Sequence, residues 1–426
     1  MTHQSIKLVT DPICGIIDFS RVLPMVEARE FQALADKRQL GMTYLVFRSA
    51  LHTRFNHCLG AYYAMCILAD KWLLQGVITK EERDALVAYA LYHDIGHPAF
   101  SHVTEDFCEL DDDEMTVDLI QNILRGVIEA CGINSELVEA LAKHENPLYL
   151  AVHDKNLGME KLDYLERDGF YTLNSRPPGI DYLRNYIYFV DGRVAIDEKV
   201  VEHALDTTTF YMKMYKEVYF RKALVVAQRM FHKAVYHLIL AKELFPPDLP
   251  GMTDSELLAL MITSQDNVVR DMYRCLRERK LFKEAIVIRS EELVGETRVA
   301  DKDIKVFGVS REDMGRLVEA PLLQKKNQAG LTRLEDTISE AAGLPKGNVL
   351  VVPVFNPERF RAKDVMIYGS DKKLHSLRER RPAHFDSMEE TARSYAALRI
   401  CVREEYRRVM SSPKIAKEVL RLVLAS

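Results

Sequence analysis

The spacing of apolar residues changes character near residue 283. From Val26 to about Phe282 they recur at helical intervals, with breaks near Gly76, Cys131-Gly132, Pro147 and Arg176-Pro177-Pro178-Gly179. Ahead of that, residues 1–25 read as short extended pieces and turns. One stretch within the helical part reads differently. Residues 187–196 place two apolar runs on either side of Asp191-Gly192, which is a strong hairpin signal. Beyond Phe282, β-branched runs occupy 285–288, 349–355 and 365–368, with helical segments between and after them, such as 389–407. The charged stretch 301–326 is a candidate mobile insertion. These patterns predict a mainly α protein: a helical core over 1–282 and a smaller mixed α+β part over 283–426. No internal repeat is visible.

Composition narrows the function classes. Apolar residues make up 48% of the 426 positions and charged residues 28%, ordinary for a globular protein. Basic residues number 58 against 63 acidic ones, a net charge of −5, so composition gives no support for duplex nucleic-acid binding. No apolar run reaches membrane-span length, and the N-terminus does not read as a signal peptide. The seven cysteines are scattered with no C-x-x-C pair, against a disulfide framework or zinc ribbon. A reducing cytoplasm is the expected compartment.

Candidate chemistry concentrates in three stretches. In the first, an apolar helical segment ends in His93-Asp94-Ile95-Gly96-His97-Pro98, with His102 shortly after. Gly96 and Pro98 stop the helix, so His93 and Asp94 fall on its last turn. Charged groups at a buried helix end need a partner or a metal. An imidazole beside a carboxylate suits Zn, Mn, Fe or Ni. In the second, Arg54 and His57 open another helix three residues apart, on one face. In the third, Glu160, Tyr164 and Asp168 form one polar stripe at i, i+4 and i+8. Taken alone, that stripe reads first as a solvated helix face.

Together the stretches RFNHCLG, YHDIGHPAFSH and EKLDYLERD resemble the HD-domain phosphohydrolases, with their metal pattern H…HD…D. Within that group they look like the deoxynucleoside-triphosphate triphosphohydrolases. Further similarity lies in Asp11-Pro12-Ile13-Cys14-Gly15, Phe31-Gln32-Ala33-Leu34 and Arg38-Gln39-Leu40-Gly41. The resemblance implies an HD-domain helical core and a divalent metal (Mn, Fe, Zn or Ni, with Mg a further candidate) on His57, His93, Asp94 and Glu160. It implies phosphate contacts from Arg54, Lys161 and Arg221, and sugar contacts from Gln39, Leu40, Tyr164 and Asp168. His97 and His102 match histidines beyond the metal pair, with His102 chosen for proton transfer. It further implies a nucleotide substrate cut between the α-phosphate and the 5′ oxygen, and a homo-oligomer. Asp11 resembles an activator-contacting aspartate.

This sequence departs from the family pattern in places. Glu160 stands where the family has aspartate, and its extra methylene moves the carboxylate. Asp113 stands at or near a family acid-base histidine, where a helix N-cap is the competing reading. Val225 and Arg229 replace two nucleoside-pocket residues, so the deoxy preference does not carry over, and Arg229 is free to meet another anionic group. Two alternatives stay open: a phosphatase for another nucleotide or phosphometabolite, and a weakly active nucleotide-binding sensor.

Overall fold

The computed structural model describes residues 6–296, 303–354 and 363–426. Near the N-terminus, β1 (Leu8–Asp11) and β2 (Gly15–Asp18) form an antiparallel hairpin. Three helices then build the part of the core that matters for function: Arg54–Leu74, Lys80–Tyr92 and Met159–Leu173, the first packing against the other two. Residues 80–92 start sharply because Thr79 and Glu82 form a reciprocal capping box, each side chain accepting the other's backbone N–H. From Ala85 to Tyr92 every residue is buried, so this helix runs through the core. It ends at His93, as the Gly96 and Pro98 signals predicted.

The expected hairpin is present as β3 (Ile187–Val190) and β4 (Arg193–Asp197). Its turn places Asp191 at φ +49° and Gly192 at φ +71°, the pair of left-handed residues a tight two-residue turn requires. Farther on come β5 (Lys283–Ser290), β6 (Lys305–Val309), β7 (Val349–Val352), β8 (Met366–Tyr368), β9 (Leu374–Ser376) and β10 (Leu398–Val402). These strands enter two different sheets. One has the order β6-β5-β10-β7, the other β3-β4-β8-β9, with β8 parallel to β4. The run at 365–368 therefore extends the hairpin of the helical part.

Two compact units result, and they interleave along the chain. One comprises residues 1–218, 246–257 and 362–386; the other comprises 219–245, 258–361 and 387–426. The change of texture near 283 marks where β5 begins, while the helix Lys222–Leu240 already belongs to the second unit.

Two local expectations are corrected. The helical reading of 389–407 holds as far as Arg393, in the helix Pro382–Arg393, and then gives way to β10, a central strand flanked by β5 and β7, whose Leu398, Ile400, Cys401 and Val402 are buried. The stretch 301–326 is not a loose insertion over its described part. It supplies β6 and the helix Arg311–Glu319, and Val309, Met314, Leu317 and Leu323 enter the second unit's hydrophobic core. Phe355, Asp301 and Lys302 lie outside the described residues. No helix of the described residues is long and apolar enough to cross a membrane.

Candidate metal centre and active site

His57 lies on the first turn of the helix Arg54–Leu74, and His93 and Asp94 just beyond the end of Lys80–Tyr92. All three are buried, and one ligand atom from each falls within 4.8 Å of the others. What surrounds them sets their protonation. His57 donates Nδ1–H to Asp163 at 2.8 Å, and His93 donates Nδ1–H to the Ala90 carbonyl at 2.9 Å. Both Nε2 atoms are thereby left as acceptors, 3.1 Å apart. Asp94 places Oδ2 3.5 Å from His57 Nε2 and Oδ1 3.5 Å from His93 Nε2. Three lone-pair donors pointed at one another need a cation between them. An imidazole fixed through its second nitrogen by a carboxylate or carbonyl is the usual support of a metal ligand. The donor set therefore fits a divalent ion.

Without such an ion, a proton takes its place. Burial disfavours the His57 imidazolium, but the Asp163 hydrogen bond and the Asp94 charge outweigh it and raise its pKa. Burial dominates at His93 and lowers its pKa. Burial also opposes charge on Asp94, yet Arg54 and the surrounding imidazoles hold its carboxyl well below the ordinary range. Metal and proton thus compete at His57, so affinity for metal rises with pH until that imidazole is neutral.

Arg54 pairs with Asp94 through Nη1 and donates Nε–H to Ser101 Oγ at 2.9 Å. Its Nη2 lies 3.4 Å from His102 Nε2. His102 is the outermost of this group, its side chain 67% exposed, with Nδ1 3.0 Å from Glu105. His97 is buried between two carboxylates: Nδ1 is 3.4 Å from Asp94 and Nε2 is 3.0 Å from Asp112. Burial and the nearby Arg54 charge push its pKa well down, so it is neutral.

Asp112, rather than Asp113, is the carboxylate that joins this histidine pair. Asp113 faces His144 and His153 instead. The N-cap is a third residue, Asp111, whose Oδ1 accepts the Glu114 N–H at 2.8 Å. Adjacent helical residues point about 100° apart, which is why Asp112 and Asp113 meet different histidines.

The Asp112 carboxyl is pushed up from 3.8 to about 6, chiefly by burial. A carboxyl whose folded-state pKa is raised weakens the fold as pH rises, because the unfolded chain releases its proton first. Asp112→Asn in chelator-treated protein should therefore match the parent's stability below pH ~4. It should gain on the order of 2–3 kcal/mol by pH ~7, since one pKa unit is about 1.4 kcal/mol. Thermal melts across that range check this; a gap that narrows with rising pH would contradict it.

The remaining expected residues are placed as follows. Glu160 Oε2 is 3.0 Å from His153 Nδ1 and 3.5 Å from His93 Nε2. Burial opposes its charge, but the His153 bond lowers its pKa. Lys161 is buried, with Nζ 3.4 Å above the Tyr211 ring and 5.2 Å from the Tyr164 ring centroid. Burial brings its pKa down to about 7, so an arriving anion would restore its charge. Tyr164 meets the His57 ring edge-on at 6.3 Å. Asp168 is buried, 2.9 Å from His52 Nε2. Gln39 is buried, and its Oε1 has no hydrogen-bond partner among the described residues, while Leu40 beside it is half-buried. Arg221 lies in the second unit, at the N-cap of Lys222–Leu240. Arg229 does meet an anionic group. It donates to Glu335 at 2.7 Å and to the Val351 carbonyl at 3.1 Å, a buried tie within the second unit.

The sequence reading missed the support behind His57. Asp163 accepts from His57 and from Arg167, whose Nη1 reaches Asp11 at 2.7 Å. This makes Asp11 the far end of a buried charge network, which also accepts the Ile13 and Cys14 backbone N–H groups. The i, i+4 spacing of Asp163 and Arg167 was the available signal. It requires Gly60: a Cβ there would stand 2.0 Å from Asp163 Oδ1 and 2.3 Å from Arg167 Nη2.

Two regions of the chain match known family descriptions. Residues 54–168 match the family described as HD domain, and residues 180–313 match the HD associated region. An uncharacterized Bacillus subtilis protein, YwfO, is 30% identical over 255 residues, which is 54% of this chain and 56% of that protein. A Dictyostelium discoideum protein named deoxynucleoside triphosphate triphosphohydrolase SAMHD1 homolog is 23% identical over 72% of this chain and 66% of its own length. The matches thus span little more than half of the first relative and about two thirds of the second. Among solved structures, a Bacteroides thetaiotaomicron phosphohydrolase shares the fold with a TM-score of 0.68 at 22% identity. That match covers 93% of this chain and all of that one (100%).

Proposed function

This chain belongs to the HD-domain phosphohydrolase superfamily, and from that premise we propose that it is a metal-dependent nucleotide hydrolase, a dNTP triphosphohydrolase releasing nucleoside and triphosphate. The buried convergence of His57, His93 and Asp94, with Arg54 on the Asp94 carboxylate, carries this reading. Its nucleotide specificity rests on the similarity to enzymes of that name.

A divalent ion held by His57, His93 and Asp94, with Glu160 beside them, would lower the pKa of water and polarise a phosphoryl oxygen. The protein's own groups supply the rest. Arg54 presents a planar fork fixed by Ser101, suited to a phosphate oxygen as well as to Asp94. Lys161 regains its proton as phosphate arrives and neutralises charge there. His102, exposed and beside Arg54, gives a proton to the leaving 5′ oxygen, with His97 and Asp112 grouped beside it. Gln39, whose Oε1 has no hydrogen-bond partner among the described residues, would face the sugar hydroxyl.

Product analysis on a panel of dNTPs, NTPs and phosphorylated metabolites tests this with manganese-loaded protein. Triphosphate plus nucleoside is the expected outcome. Orthophosphate would replace it with a phosphatase reading, and binding without turnover with a sensor reading. The proposal includes self-association, and sedimentation of the same preparation checks it: a monomer mass independent of concentration would remove that part.

A further inference from the structure

A second set of donors lies beside the first. Asp113, His144 and His153 each offer a ligand atom, and these atoms lie within 4.8 Å of one another. They come from three separate places: the helix Asp112–Leu119, the turn after Ser135–Ala142, and the end of Leu150–His153. His144 occupies that turn at φ +59°, a conformation a side-chain-bearing residue rarely adopts, and its ring stacks on Tyr149 at 4.1 Å. The two imidazoles are 5.4 Å apart between ring centroids. His153 donates Nδ1–H to Glu160 at 3.0 Å, which leaves Nε2 as the nitrogen that a metal would take in place of a proton. This is the same carboxylate-backed arrangement that supports His57.

We propose that Asp113, His144 and His153 form a second divalent-cation site, and that Glu160 is the carboxylate shared between it and the His57–His93–Asp94 centre. Glu160 Oε2 touches both sets, 3.5 Å from His93 Nε2 and 3.0 Å from His153 Nδ1. The longer glutamate reaches His153 while staying beside His93, which gives its presence at this position a physical reason. Two imidazoles and a carboxylate select a transition ion such as Mn, Fe or Zn over Ca. Three protein donors leave positions open for water or a phosphate oxygen, and a second cation suits a substrate bearing several phosphate charges. Only the sharing of Glu160 rests on the reading of the first centre.

Metal content separates the possibilities. The full chain is stripped with chelator, dialysed to equilibrium against manganese, and measured by elemental mass spectrometry, with anomalous diffraction locating the ions. Two ions per chain are expected, one of them among Asp113, His144 and His153. The double variant His144→Ala/His153→Ala should keep one ion, and Asp113→Asn, which preserves shape, should weaken the second ion at least tenfold. A single ion in the parent, lost in His57→Ala and kept in the double variant, would overturn the second site and leave the first standing. Two ions retained in the double variant would also overturn it. No ion in any protein would remove the first centre as well.

Discussion

Asp94→Asn is expected to lose both metal and turnover, with kcat/KM down at least ~1000-fold and metal affinity down by two orders of magnitude or more. The Asp94 carboxylate lies against both ligand imidazoles and also carries the Arg54 pair. An amide keeps the shape and one oxygen but removes the charge that attracts the ion. It also leaves Arg54, only 2% exposed, facing a neutral partner. A charged hydrogen bond of this kind contributes roughly 1.5–3 kcal/mol, so the chelator-treated variant should melt lower than the parent. Arg54→Lys separates the two roles. Lysine can still face Asp94 as a point charge but cannot hold Ser101 and Asp94 in one planar fork. It should keep metal and lose turnover. Calorimetric metal titration and steady-state kinetics on both variants check this, and an Asp94→Asn protein with parental metal affinity would refute the assignment.

Gly60→Ala should destabilise the protein by about 3 kcal/mol or more, opposite in sign to the effect expected of helix propensity. In an ordinary exposed helix, alanine gains about 1 kcal/mol over glycine. Here the added Cβ would overlap Asp163 and Arg167 at 2.0 and 2.3 Å. Neither side chain can step aside cheaply, because both are buried in the chain Asp11–Arg167–Asp163–His57. Breaking a buried ion pair costs roughly 3–5 kcal/mol. Loss of the Asp163 hydrogen bond would also free the His57 ring, so metal affinity should fall about 10- to 100-fold in whatever protein still folds. Gly126 is the control: it is helical, with open space where a Cβ would sit, and Gly126→Ala should stabilise. Denaturant melts of the two variants should move in opposite directions; equal shifts would rule out the crowding at Gly60.

Several elements were legible before the fold was known, because their causes are local. Asp191-Gly192 can adopt the two left-handed conformations that a tight hairpin needs, and it does so. Gly96 and Pro98 prevent the continuation of the helix Lys80–Tyr92, which leaves His93 and Asp94 at a buried end. Three candidate metal ligands, His57, His93 and Asp94, follow from such local signals together with the family resemblance.

Other features belong to the tertiary structure because they depend on partners distant along the chain. Leu398–Val402 lies in a stretch with helical texture, yet pairing with β5 and β7 on both sides makes it a central strand. Residues 365–368 read correctly as a strand, but only the fold shows that they pair with β4, about 170 residues earlier by subtraction of Ala195 from Met366. The choice of Asp112 over Asp113 at His97 turns on the rotation of one helix about its axis, which composition does not encode. Periodicity in a sequence reports which face of a segment is apolar. It carries no record of which distant group will meet that face, as at Glu160, Asp163 and Asp112, which meet His153, His57 and His97.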